Sequence, residues 1–129
     1  MDKKKILIVD DDPHLLKTLT VRLKAHNYAT VVAQDAISAI SQATNEHPDL
    51  IILDLGLPAG DGFVVMERLN NIISLAATPI IVLSARDVWT NKERALKAGA
   101  QAFLQKPVDK NELMATIQRT LAEPSEERV

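Results

Sequence analysis

The sequence predicts a doubly wound α/β domain on a five-stranded parallel sheet, and three observations point to it. Strand-like and helix-like segments alternate five times along the 129 residues, which calls for parallel strands joined by right-handed helical crossovers. The strand runs are continuously apolar, as in ILIV (Ile6–Val9) and LIIL (Leu50–Leu53), rather than alternating. Such strands are covered on both faces. The length suits one domain with a sizeable core.

Each element has a local reason. Lys5 to Asp10 reads as the first strand, an Ile/Leu/Val run. Asp12 followed by Pro13 reads as a cap with proline at the first helical position. Leu15, Leu16, Leu19 and Leu23 give that helix an apolar face. Ala29 to Ala33 is the second strand. Asp35 caps a helix whose inner residues are Ala36, Ala39, Ile40 and Ala43, and Pro48 closes it.

Leu50 to Leu53 is the third strand and ends at Asp54. The loop Leu55 to Gly62 contains three glycines and a proline, with Gly60 and Gly62 as turn residues. Phe63, Met66, Leu69 and Ile73 are expected to line the core face of the third helix. Pro79 to Leu83 is the fourth strand. A helix from Asp87 to Ala98 stops at Gly99, a favourable C-terminal glycine. Ala102 to Gln105 is the fifth strand. Asp109, with Glu112 three residues on, begins the last helix like a capping box, and Leu113, Ile117 and Leu121 form its inner stripe. The domain is expected to span residues 1–122. The polar segment EPSEERV, residues 123–129, reads as a tail or the start of a linker.

Composition narrows the function. The formal net charge is −2, so the basic excess of a nucleic-acid binder is missing. Without cysteine, disulfides and thiolate metal sites are excluded. No apolar run approaches the roughly 20 residues of a membrane span. Lys3, Lys4 and Lys5 precede only a brief apolar run and then acids, unlike a secretion signal. The expectation is a cytoplasmic protein that engages neither membrane nor nucleic acid.

The run VDDD (Val9–Asp12) sets like charges side by side where a strand ends. Two unit charges about 4 Å apart repel by roughly 1–4 kcal/mol, depending on hydration. Either the acids form a solvated turn with a helix cap, or a positive ion sits among them. In open parallel sheets, ligands bind beyond the carboxyl ends of the strands. In this fold Asp10 and Asp11, Asp54, Ser84 and Lys106 all follow strand ends. Clustered carboxylates are hard oxygen ligands suited to Mg²⁺, which commonly bridges carboxylates to phosphoryl oxygens. Lys106 then adds a second positive charge and Ser84 a hydrogen-bond donor. Asp54 becomes the candidate nucleophile for an acyl phosphate.

Four motifs, in order and at matching spacing, carry a resemblance: VDDD, LDLGLPAGDG (Leu53–Gly62), LSA (Leu83–Ala85) and KAGAQAFLQKP (Lys97–Pro107). Over Lys4 to Leu121 the chain resembles the receiver domain of two-component response regulators. That resemblance implies a flavodoxin-like (βα)5 fold, chemotaxis-receiver-like, with strand order 2-1-3-4-5. It implies Asp54 as phosphoacceptor from a histidine kinase or phosphotransfer protein. It implies Mg²⁺ held by Asp11, Asp54 and the Gly56 carbonyl, with Asp10 acting largely through water. Ser84 would contact the phosphoryl group, small Ala85 would leave room for it, and Lys106 would pair with Asp54 or its phosphate. Phe103 matches the switch aromatic, in place of the frequent Tyr. The Lys106–Pro107 peptide is expected to be cis. Gly56 and Arg86 occupy the two positions that tune phosphoryl lifetime. Val108 stands where Phe is common in the family.

The resemblance also implies a phospho-switch rather than a turnover enzyme. Its output surface would be the face of the fourth helix, fifth strand and fifth helix, for an output protein or domain that the sequence does not identify. The state would be a monomer or a phosphorylation-dependent homodimer. Trp89 lies near the start of the fourth helix, either as core packing or as a partner contact. Lys92, Glu93, Arg94 and Lys97 suit an ordinary solvated face, and His14, His26 and His47 read as surface residues. A degenerate scaffold receiver is the main alternative, against which the intact acid set argues. An aspartate-nucleophile phosphatase would carry its general acid two residues after the nucleophile, where this chain has Gly56. A flavodoxin-like electron carrier would not place Asp10, Asp11 and Asp12 where a phosphate must bind. A dinucleotide enzyme would have a glycine-rich first turn.

Overall fold

The structure is a computed structural model in which residues 3–58 and 61–122 are described. Gly60 of the turn reading and the tail at 123–129 lie outside the described residues. Five strands, β1 (Lys5–Val9), β2 (Ala29–Ala33), β3 (Leu50–Leu53), β4 (Ile80–Ser84) and β5 (Ala102–Gln105), alternate with five helices. The helices are α1 (Pro13–Ala25), α2 (Ala36–Glu46), α3 (Gly62–Asn70), α4 (Val88–Lys97) and α5 (Lys110–Leu121). All pairings are parallel, in the order β2-β1-β3-β4-β5. This is the doubly wound flavodoxin-like receiver arrangement.

The pleat sends alternate residues to opposite faces. Ile6, Ile8, Leu50, Ile52, Ile81, Leu83 and Leu104 pack against Leu16, Leu19 and Leu23 of α1 and Leu113, Met114 and Ile117 of α5. Leu7, Val9, Ile51, Leu53, Val82 and Phe103 face the other way, onto α2, α3 and Ala95 of α4. Each fully buried Ile or Leu contributes roughly 1.5–3 kcal/mol relative to exposure. Both faces of the inner strands are therefore dry, as their continuous apolar runs require.

The helix starts follow local chemistry. Asp12 accepts from the His14 amide, Asp35 from Ser38, Asp61 from Phe63, Asp87 from Trp89 and Asp109 from both Asn111 and Glu112. At Asp35 the box is reciprocal, with Ser38 bonding back to the cap. α4 ends at Lys97, with Ala98 as its C-cap before Gly99 at φ +112°. A left-handed residue there favours glycine. α2 ends on His47 in the left-handed region, followed by Pro48.

One core expectation is overturned. Ile73 does not continue the α3 stripe: it is 95% exposed in a 3-10 turn, Ile73–Leu75. α3 stops at Asn70, the chain changes direction, and Leu75 is buried in its place. Smaller differences are at element ends: β1 stops at Val9 and β4 runs from Ile80 to Ser84. Leu15 and Leu121 are half-buried at the edge of the core. No helix among the described residues is long and apolar enough to cross a membrane.

Candidate functional site

Sheet register sets the site. Val9 is level with both Ala33 and Leu53, and Ser84 with Gln105. The ladder continues one step further: the Asp10 amide donates to Ala33, the Asp54 amide to Val9 and the Lys106 amide to Ser84. Asp10, Asp54, Ser84 and Lys106 therefore leave the sheet at one rim, held by backbone bonds. Asp10, Asp54 and Ser84 are buried, while Asp11 is exposed.

Carboxylate oxygens of Asp10, Asp11 and Asp54 all lie within 4.8 Å of one another. Lys106 reaches between the two buried acids, with Nζ 2.6 Å from Asp10 Oδ2 and 3.4 Å from Asp54 Oδ2. The expected partner of Lys106 was Asp54 or its phosphate; the shorter bond goes to Asp10. Burial pushes the Asp10 carboxyl above its usual value, against the pull of Lys106 and the Asp12 amide. Burial lowers the Lys106 ammonium, but the bonds and charges of Asp10 and Asp54 outweigh it and leave it raised. The donor set is all oxygen, anionic and half-wet, so the residues fit a hard divalent cation such as Mg²⁺.

The surrounding groups are accounted for as well. Asp54 Oδ1 accepts from the Gly56 amide at 3.1 Å. A Cβ on Gly56 would meet only that oxygen, at 3.9 Å, so the position is open beside the carboxylate. The Ser84 hydroxyl oxygen accepts from the Arg86 amide at 3.1 Å. Ala85 is exposed at the lip of a cleft that Leu15, Lys106, Pro107 and Val108 also line. The Lys106–Pro107 peptide is cis. Phe103 is buried in the core layer beneath the rim. Trp89 is 93% exposed, which rules out core packing. His14, His26 and His47 are all exposed.

Asp61 went unnoticed from sequence alone. It caps α3 and also receives both terminal nitrogens of Arg86, each at 3.4 Å. Its signal was present in the loop motif, an acid between two glycines just before an apolar helix.

The profile described as the response regulator receiver domain matches residues 6–118. The chain is 33% identical over 118 residues to protein PilH of Pseudomonas aeruginosa, spanning 92% of this chain and 98% of PilH. It is 38% identical to the KDP operon transcriptional regulatory protein KdpE of Escherichia coli, spanning 90% of this chain but only 50% of KdpE. Thus it covers nearly all of one relative and about half of the other. Among solved structures it is similar to chemotaxis response regulator CheY4 of Vibrio cholerae, with a TM-score of 0.87 and 28% identity over 93% of this chain and all of that one. It is also similar to the receiver domain of sensor histidine kinase PA1611 of Pseudomonas aeruginosa, solved with a magnesium ion in its active site cleft. There the TM-score is 0.85 and the identity 27%, over 95% of this chain and all of that one.

Proposed function

The chain belongs to the response regulator receiver domain family, and from that premise we propose that Asp54 is its phosphoacceptor. The supporting observation is one constellation: a buried aspartate at the end of β3, two further carboxylates within 4.8 Å, and an ammonium group between the buried pair. A carboxylate oxygen of Asp54 attacks the phosphorus of a phosphohistidine on a histidine kinase or phosphotransfer protein. The new P–O bond forms as the P–N bond breaks, and the imidazole takes up a proton as it leaves.

Asp11, Asp54 and the Gly56 carbonyl would hold Mg²⁺, with Asp10 acting through water. When bound, the ion would neutralise charge on the carboxylates and phosphoryl oxygens. Ser84 supplies a hydroxyl to a phosphoryl oxygen, and Ala85 leaves space for the group. Lys106 turns from the acids to the phosphate. Gly56 and Arg86 set how readily water reaches the acyl phosphate. The domain so defined is residues 1–122.

The modified chain is a switch rather than a turnover catalyst. Moving a conformational equilibrium from 1:99 to 99:1 takes about 5.5 kcal/mol of differential stabilisation. Charge-assisted bonds from Ser84 and Lys106, with Phe103 repacking behind them, contribute to that total. The face of α4, β5 and α5, with Trp89 at its edge, carries the change to an output protein or domain. The domain works in the cytoplasm, as a monomer or as a homodimer formed on phosphorylation. A phosphatase reading lacks its general acid, because Gly56 stands at that position.

The deciding experiment is intact mass after incubation with a small phosphodonor, with and without Mg²⁺, on the wild type and Asp54→Asn. A Mg²⁺-dependent phosphoryl adduct missing from the variant is expected. An adduct of equal yield in Asp54→Asn refutes the assignment. Failure to form either an adduct or a beryllofluoride complex would make the chain a scaffold receiver.

A further inference from the structure

α4 has less apolar anchoring than any other helix. Of Val88–Lys97 only Ala95 is buried, whereas α1, α2, α3 and α5 each bury three residues or more. Besides its packing on β5, α4 is tied by side-chain contacts to α3 and its cap. Ahead of α4, Arg86 pairs with Asp61 at 3.4 Å. On the second turn of α4, the Arg94 guanidinium sits over the Phe63 ring, 3.7 Å from its centroid. At the C-terminal end, Asn70 Nδ2 donates to the Ala98 carbonyl at 3.0 Å. Arg94 is exposed, as a solvated face requires, and its guanidinium at the same time covers an aromatic ring.

The other end of this assembly rests on the acceptor loop. The Gly62 amide donates to the Leu55 carbonyl at 2.9 Å. A Cβ on Gly62 would lie 2.5 Å from Leu55 Cα and 2.7 Å from the Asp54 carbonyl oxygen. The backbone that carries Asp54 therefore abuts the first residue of α3, and the next residue, Phe63, carries the ring under Arg94. Asp61, Gly62 and Phe63 touch the β4–α4 loop, the Asp54 backbone and α4 in turn.

We propose that α3 anchors α4 to the Asp54 loop, with the Arg94–Phe63 stack as the latch. The latch is a property of the unmodified chain. Its use in signalling rests on Asp54 being the phosphoacceptor. This route runs beside the one through Ser84, Lys106 and Phe103 and shares none of those side chains.

Amide hydrogen exchange on the whole chain tests it, comparing wild type, Arg94→Ala, Arg94→Lys and the charge control Lys97→Ala. Arg94→Ala should speed α4 exchange about two- to fivefold, the size of one exposed cation–π contact, with α1 and α5 unchanged. Arg94→Lys should restore part of the protection, and Lys97→Ala, which loses only its exposed pair with Glu93 at 3.0 Å, should speed exchange less than Arg94→Ala does. Wild-type exchange in Arg94→Ala, or an equal effect of Lys97→Ala, overturns the latch. After reaction with a phosphodonor, Arg94→Ala should carry the same adduct but show a smaller change in α4 exchange and in Trp89 fluorescence. An identical response overturns the coupling. If the wild type forms neither an adduct nor a beryllofluoride complex, the acceptor reading fails, and exchange in the unmodified chain still decides the latch.

Discussion

Lys106 Nζ is 2.6 Å from Asp10 and 3.4 Å from Asp54, so the lysine binds the supporting acid more closely than the proposed acceptor. Replacing it with alanine leaves a buried carboxylate without its cation, at a cost of about 1–3 kcal/mol at neutral pH. Proton uptake by Asp10, whose carboxyl burial already pushes up, limits that loss. Lys106→Ala is expected to keep Mg²⁺ binding and the phosphoryl adduct while losing the spectral change that accompanies phosphorylation. Fluorescence of Trp89, the single tryptophan, recorded alongside mass analysis, measures both. A full spectral response in the variant would remove Lys106 from the switch.

Three carboxylates within 4.8 Å repel one another, Lys106 offsets only part of that, and a divalent cation that binds only the folded state should stabilise it. At a hundredfold excess over its dissociation constant, such an ion adds about 2.7 kcal/mol. Thermal unfolding in MgCl2, against KCl of equal ionic strength, should show a higher midpoint in MgCl2. Asp11→Ala should abolish the difference. A Mg²⁺ effect that survives in Asp11→Ala would place the ion elsewhere.

Gly62 and Gly56 lie in the same loop motif but have opposite surroundings. A methyl on Gly62 drives into the backbone of Asp54 and Leu55, whereas one on Gly56 meets nothing closer than 3.9 Å. Gly62→Ala should lower stability by about 1–3 kcal/mol, and Gly56→Ala by no more than about 0.5 kcal/mol. Urea midpoints at constant slope decide this, and equal midpoints for the two variants would contradict the packing.

Local signals were the legible ones. The caps at Asp12, Asp35 and Asp109 and the stop at Gly99 depend on a few neighbouring residues, and each appears in place. Ile73 was misread because the apolar spacing of Phe63, Met66 and Leu69 continues past the end of α3. Where a helix stops, its period carries no further information. The convergence of Asp10, Asp54, Ser84 and Lys106 was readable because the strand-end rule needs only topology. The closer bond of Lys106 to Asp10 was not, since it turns on less than an ångström of side-chain position. Arg94 over Phe63 was hidden for a related reason: its partner is set by how α3 lies beside α4, and an exposed charged helix position looks the same in sequence whether or not a ring lies beneath it.

Asp35 offers a pH test away from the acid site. The Ser38 amide, 2.7 Å from Asp35 Oδ1, and then the Ser38 hydroxyl hold its carboxyl below the usual 3.8. A folded value below the unfolded one means that the stabilisation is fully present above the unfolded value and lost as pH falls through the folded one. Asp35→Asn keeps a capping oxygen but has no proton to gain. The wild type should therefore exceed Asp35→Asn in midpoint at pH 7, and the two should converge in acid as Asp35 protonates. Asp35→Ala should lie below both at pH 7 because the cap itself is gone. Thermal unfolding of the three proteins from pH 7 down to about 2.5 measures this. A gap between wild type and Asp35→Asn that stays constant across the range would show that the charge of Asp35 contributes nothing to the cap.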